Sequence, residues 1–214
     1  MRLILFDLDG TLIDSEQGIV NSIEHALSGL GVPIPSRESL RGWIGPPLRA
    51  VFPNVVGDDP ATIERGVKLY RERFSEIGWL EHTVYPGIGD VVDALAAQGD
   101  QLAVVTTKAD LYAERIVRSL PFGARFERVY AAPPGSNSSE KASMIARALT
   151  DFGMDARDAS MIGDRHFDIE GARANGVRAI GAGWGFGSRE ELVSAGADVI
   201  ADSVGKLREL LLPR

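Results

Sequence analysis

Residues 6–14 read Phe6-Asp7-Leu8-Asp9-Gly10-Thr11-Leu12-Ile13-Asp14, directly after the apolar run Leu3-Ile4-Leu5-Phe6. A short run of large apolar residues at the start of a chain predicts a buried β-strand, so Asp7 stands where that strand gives way to a loop. In open α/β sheets this carboxyl edge is where ligands and chemistry collect. Asp7 and Asp9 alternate on an extended chain, which aims both carboxylates the same way, where they repel unless a cation lies between them. Gly10-Thr11 then turns the chain away. Carboxylates held around a cation at a strand end predict metal-assisted phosphoryl transfer with an aspartate nucleophile.

The pattern beyond this stretch divides in two. Ile19, Ile23, Leu27 and Leu30 recur at helical spacing, with Gly31 as the expected C-terminal cap. Pro33-x-Pro35 and Ser36 break the chain and offer a new N-cap, and Leu40, Trp43 and Ile44 predict a short helix before Gly45-Pro46-Pro47. Asp59-Pro60 opens a helix whose apolar face is Ile63, Val67, Tyr70, Phe74 and Ile77, closed by Gly78. Residues 15–84 therefore read as wholly helical. From Tyr85 onward helices alternate with apolar strands, at 102–106, 128–132, 159–163, 177–182 and 198–201. Short apolar strands separated by helices predict a parallel, doubly wound α/β sheet. The expected organisation is a core of residues 1–14 plus 85–214 with a small all-helical insert, 15–84, between them. Ser188-x-x-Glu191 has the form of a capping box, and Gly181-x-Gly183-x-Gly185-x-Gly187 before it reads as a tight strand-to-helix loop.

Composition narrows the function classes. The 214 residues are 44% apolar and 25% charged, as in a globular protein with a sizeable core. A net charge of −7 and a pI near 5.0 argue against nucleic acid or an anionic membrane as partner. The absence of cysteine excludes disulfides and thiolate metal sites. With no apolar run of membrane-spanning length and no leader-like segment, the expected location is cytoplasmic.

Four polar clusters follow four of the strands. They are Asp7 with Asp9, Thr106-Thr107-Lys108, Lys141, and Gly163-Asp164-x-x-x-Asp168. A parallel sheet brings all these strand ends to one edge. Carboxylates from separate strands suit Mg²⁺, which takes oxygen ligands, while a hydroxyl and an ammonium suit the oxygens of a phosphoryl group. Lys141, a cation in a helix first turn, is disfavoured there without an anionic partner. Lys108 reads as a solvated charge. His166, inside the last cluster, faces either the site or solvent, and His25 and His82 read as surface groups. Trp43 belongs either to a substrate-facing surface or to the packed end of a helix pair.

Taken in order, these motifs resemble the haloacid dehalogenase superfamily, in the phosphoglycolate phosphatase-like branch with a helical cap. Asp7-x-Asp9-Gly10-Thr11-Leu12 is similar to its opening motif and Val105-Thr106 to its second. Lys141 stands at the third, and Ile162-Gly163-Asp164-x-x-x-Asp168, continued by Ala172 and Asn175-Gly176, at the fourth. The third departs from the Lys-Pro-x-Pro common in that branch, reading Ser138-Ser139-Glu140-Lys141-Ala142, and the fourth is closer to 5′-nucleotidase-like members.

The resemblance implies a Mg²⁺-dependent phosphomonoester hydrolase acting on a small phosphorylated metabolite, either phosphoglycolate-like or a nucleoside monophosphate, as a monomer or homodimer. It implies Asp7 as nucleophile and Asp9 as acid and base. Mg²⁺ is then held by Asp7, Asp164 and the Asp9 carbonyl, and the phosphate by Thr106, the Thr107 amide and Lys141. Asp168 supports the metal ligands or orients Lys141, and the helical insert closes over the substrate. Asp9 separates the chain from dehalogenases and phosphonate-cleaving relatives. The absence of histidine from 15–21 separates it from most β-phosphoglucomutase-like phosphotransferases. A phosphotransferase of that kind and a non-catalytic phosphate-binding regulatory module are the alternatives.

Overall fold

The computed structural model describes residues 1–132 and 141–212. The chain opens with β1 (Leu3–Phe6) and the two-residue β2 (Ile13–Asp14). It continues through helices α1 (Glu16–Leu30), α2 (Arg37–Arg41), α3 (Leu48–Val51), α4 (Pro53–Val56) and α5 (Pro60–Glu76) to the two-residue β3 (Thr83–Val84). Then come α6 (Ile88–Ala97), β4 (Gln101–Ala109), α7 (Asp110–Ser119), β5 (Arg128–Ala132) and α8 (Lys141–Phe152). The last stretch holds β6 (Ala159–Gly163), α9 (His166–Ala174), β7 (Arg178–Ala182), α10 (Arg189–Ala195), β8 (Val199–Ala201) and α11 (Val204–Leu211). The described chain falls into two compact units, one built on residues 1–14 and those from Val84 onward, the other on Ser15–Thr83. No helix among the described residues is long and apolar enough to cross a membrane.

The larger unit is a six-stranded parallel sheet in the order β5-β4-β1-β6-β7-β8. β1 lies between β4 and β6, with Phe6 opposite Val104 on one side and Ile162 on the other. Every side chain of β1 is fully buried, which is why the run has no polar alternation. Leu3 and Leu5 join one face with Met144 and Ile145 of α8, Ile169 and Ala172 of α9, and Leu192 of α10. Phe6 points to the other face, where its ring meets Phe126 edge-on at 6.0 Å. The crossovers run one way from β1 to β5 and the other way from β6 to β8. Right-handed connections therefore place α6 and α7 opposite α8–α10. The direction changes at β1, so β1 is the switch point of the sheet.

The smaller unit is built on α1 packed against α5. Gly31 ends α1 at φ +72°, and the Asp59 side chain caps α5 at the Thr62 N–H, with Pro60 at its first position. Val67, Tyr70 and Phe74 form the buried face of α5 as the spacing predicts, but Ile77 lies outside the helix and is exposed. Gly78 opens a one-turn 3₁₀ segment, Gly78–Leu80, instead of closing α5. The stretch read as wholly helical ends in the strand β3, too short to leave a periodic signal. The half-buried Trp43 ring packs edge-to-face on Phe52 at 6.3 Å.

Gly18 of α1 and Gly78 approach so closely that a Cβ on Gly18 would stand 2.1 Å from the Gly78 carbonyl oxygen. Gly205 in α11 has no such neighbour, its nearest being 3.7 Å away. Gly18→Ala is therefore expected to destabilise by about 2 kcal/mol through overpacking. Gly205→Ala is expected to stabilise by about 0.5 kcal/mol through helix propensity. Thermal unfolding of the two variants checks the opposite signs, and equal shifts would contradict the packing argument.

Candidate active site

The strand order brings the four polar clusters to one edge. The Asp7 N–H donates to the Ile162 carbonyl at 2.8 Å, which continues the β1–β6 ladder one residue further. The chain then reverses around Leu8, whose carbonyl accepts the amides of Leu12 at 3.0 Å and Ile13 at 3.1 Å. Gly10 makes the turn at φ +83°, and a Cβ there would lie 2.2 Å from Asp164 Oδ2. Both the backbone angle and the closeness of Asp164 require glycine.

Lys141 is the hub. It opens α8, is 2% exposed, and donates through Nζ to Asp7 Oδ1 at 2.6 Å and to the Val105 carbonyl at 2.7 Å. Its ammonium is 2.5 Å from Asp168 Oδ1. Burial works against the charge, but Asp168 and Asp7 outweigh it and hold Lys141 above the usual lysine range. The helix start is anchored from α9, where Asn175 Nδ2 donates to the Ala142 carbonyl at 2.9 Å. Ser138, Ser139 and Glu140 of the third motif lie outside the described residues.

Asp9 has a different partner. Lys108 Nζ donates to both oxygens of Asp9 at 2.9 Å. The Lys108 side chain is only 7% exposed, so the reading of a solvated charge is corrected. A register shift in β4 between Thr106 and Ala109 accompanies this placement. The signal was present in the alternation, since Lys108 lies two residues after Thr106 at the strand end. Thr106 is buried, and its hydroxyl accepts the Lys108 N–H at 3.2 Å. Thr107 follows it on β4, half-buried.

Asp164, fully buried after β6, is held from a loop the sequence reading treated only as a connection. Its Oδ2 accepts the Phe186 N–H at 2.8 Å, and Thr11 Oγ1 donates to Oδ1 at 3.4 Å. A Cβ on Gly185 would stand 2.3 Å from Asp164 Cβ, and one on Gly187 would stand 1.9 Å from the Asp164 carbonyl oxygen. Trp184 ties the same loop to the opening turn, donating from Nε1 to the Thr11 carbonyl at 3.2 Å. Glycine spacing alone carried no sign of this contact, because Asp164 and the loop meet only through the β6–β7 crossover. His166 directs Nδ1 to Glu191 Oε1 at 2.8 Å.

Asp7, Asp164 and Asp168 offer carboxylate oxygens within 4.8 Å of one another. Burial, opposed by Lys141 and reinforced by Asp168 and Asp9, pushes the Asp7 carboxyl up to about 7. Burial and the charges of Asp7 and Asp168 drive Asp164 well above the carboxylate range, against the pull of the Phe186 N–H and Arg165. Four carboxylates face two ammonium groups here, a formal surplus of two negative charges that one divalent cation would cancel. Asp168 meets the Lys141 ammonium and the Arg165 N–H at 3.0 Å. Among the described residues, Asp164 accepts only from the neutral Phe186 N–H and Thr11 hydroxyl, and Asp7 meets Lys141 through Oδ1 alone, so Asp7 and Asp164 are the carboxylates better suited to a cation. The all-oxygen donor set fits Mg²⁺.

Comparison with known proteins is consistent over most of the chain. Residues 4–182 match the family model described as haloacid dehalogenase-like hydrolase. A 5′-nucleotidase of Pseudomonas aeruginosa is 38% identical over 97% of this chain and 94% of its own length. The tyrosine-protein kinase PtkA of Mycobacterium tuberculosis is 34% identical over 98% of this chain and 72% of its own. Among solved structures, a predicted phosphatase from Clostridium acetobutylicum superposes with a TM-score of 0.90 at 34% identity, covering 98% of this chain and 97% of that one.

Proposed function

We propose that this chain, which belongs to the haloacid dehalogenase-like hydrolase family, works as a Mg²⁺-dependent phosphomonoesterase with Asp7 as its nucleophile. It is a phosphatase by family and by its relatives. The observation that carries the finer reading is the buried carboxylate cluster around Lys141, whose surplus negative charge has no structural use in a plain core.

In this reading Asp7 and Asp164, with the Asp9 carbonyl, hold Mg²⁺, which when bound neutralises charge between the phosphate and the carboxylate that attacks it. Lys141 engages Asp7 Oδ1, which assigns the attack to Oδ2. Asp7 forms a bond to phosphorus as the ester P–O bond breaks, and Asp9 gives its proton to the departing alkoxide. Asp9, now a carboxylate, takes a proton from water as that water attacks phosphorus. Inorganic phosphate leaves and Asp7 is restored. Thr106, the Thr107 amide and Lys141 bind the transferring oxygens. Lys108, which donates to both oxygens of Asp9, would stabilise the charge that Asp9 acquires as it gives up its proton. We assign the insert of residues 15–84 the role of a cap that selects the leaving group. The likeness to the Pseudomonas 5′-nucleotidase favours 5′-nucleoside monophosphates over phosphoglycolate as substrates.

Phosphate release from nucleoside monophosphates, phosphoglycolate and sugar phosphates tests this. Release with Mg²⁺ is expected, falling by more than about 100-fold in EDTA. Release unaffected by EDTA would remove the metal from the reading. Transfer to a second hydroxyl without release would replace hydrolysis by phosphotransfer.

A further inference from the structure

The mechanism uses the carboxylates of the 164–168 segment and gives no role to Glu191, although Glu191 makes three hydrogen bonds to that segment from α10. Ser188 caps α10 by accepting the Glu191 N–H at 3.1 Å. In a capping box the Glu191 carboxylate would return to the Ser188 amide. Instead its Oε1 crosses to the turn after β6, accepting from Arg165 Nε at 2.9 Å, from the His166 N–H at 2.9 Å and from His166 Nδ1 at 2.8 Å. His166 is the first residue of α9, where backbone N–H groups have no acceptor inside the helix. Glu191 thus caps α9 from another element.

The same turn is fixed on its other side by Asp168 Oδ2, which accepts the Arg165 N–H at 3.0 Å. Asp164 lies at the start of this turn, so the way the turn is held fixes its backbone while the Phe186 N–H and the Thr11 hydroxyl hold its carboxylate. Burial works against charge on Glu191, yet the bonds from His166 and Arg165 keep its carboxyl below the usual glutamate range. Three donors on one carboxylate oxygen form a rigid brace rather than a solvated surface pair.

We propose that Glu191 is a positioning residue for the cation site, holding Asp164-Arg165-His166 so that Asp164 presents its carboxylate in the direction Mg²⁺ requires. This rests on the functional reading above. Outer partners that orient a metal ligand typically change metal affinity by roughly 10-fold or more when removed. The test is calorimetric titration of Mg²⁺ into metal-free wild type, Glu191→Ala, Glu191→Gln and Glu190→Ala, with circular dichroism to establish folding. Glu191→Ala is expected to weaken Mg²⁺ about 10-fold, Glu191→Gln, which keeps Oε1 as acceptor, to recover most of that loss, and Glu190→Ala to match wild type.

Should Glu191→Ala fail to fold, Glu191→Asp, too short to reach the turn, carries the same expectation. A folded Glu191→Ala or Glu191→Asp binding Mg²⁺ within twofold of wild type overturns the proposal alone. A wild type that binds no Mg²⁺ overturns the functional reading and this proposal together.

Discussion

Asp7→Asn is expected to lower phosphate release by a factor on the order of 10⁴ or more, because it removes the attacking oxygen while keeping the shape of the side chain. The amide oxygen can still accept from Lys141, so the loss is not an unfolding effect. Stability should move the other way. Asp7 has a folded-state pKa near 7 against an ordinary 3.8, so the folded protein holds this proton more tightly than the unfolded chain. Folding stability from Asp7 is therefore greatest at acid pH and declines as pH rises from about 4 to about 7, by up to roughly 4 kcal/mol for an ideal isolated group. The asparagine has no charge to bury. In EDTA the variant should melt with the parent near pH 4 and increasingly above it toward pH 8. Thermal melts across that range check this, and a constant difference would show that Asp7 does not carry the cost. Retained hydrolysis would remove Asp7 as nucleophile.

Lys141→Met is expected to be the most damaging single change to the fold. Lys141 is buried against Asp7, Asp168 and the Val105 carbonyl. Removing one partner of a buried ion pair costs about 3–5 kcal/mol, because the carboxylates stay behind uncompensated. The loss should be partly reversed by acid, since protonating Asp7 and Asp164 relieves the same repulsion. It should also be partly reversed by adding Asp168→Asn, with a coupling of roughly 1–3 kcal/mol between the two sites. Denaturation of the single and double variants measures both. A Lys141→Met protein as stable as its parent at neutral pH would mean the ammonium does not hold the cluster together.

How far the sequence revealed this depends on where each signal lies. β1, β5 and β6 fall at the expected residues because each is an apolar run closed by a turn or polar residue. β4 runs three residues past its expected end at Thr106, where a register shift interrupts its pairing to β5 before Ala109 resumes it, and this hid Lys108. Asp7 and the fourth cluster were legible because their carboxylates sit beside a strand in the chain itself. The Lys108–Asp9 and Glu191–His166 contacts join residues 99 and 25 positions apart, and no local spacing encodes them. Ser188-x-x-Glu191 shows the same limit. The serine half of the box forms locally, while the glutamate half is captured by a distant donor set. In the insert, α1 and α5 carried caps and periodicity, but α3 and α4, of four residues each, are too short to show a period.

The central place of β1 has a consequence for biosynthesis. Leu3–Phe6 are made well before their neighbours, residues 101–104 and 159–162. At about 5–20 residues per second, the wait for β6 is on the order of ten seconds. Throughout that time at least one edge of an uncharged strand remains unpaired beside Asp7. Helices α1 and α5, which pack against each other, are both made before β4. β1, by contrast, cannot be enclosed on both sides until β6 is made. A nascent chain halted before Ala159 therefore presents an open apolar strand edge beside Asp7, and chaperone capture of such intermediates should centre on residues 3–6.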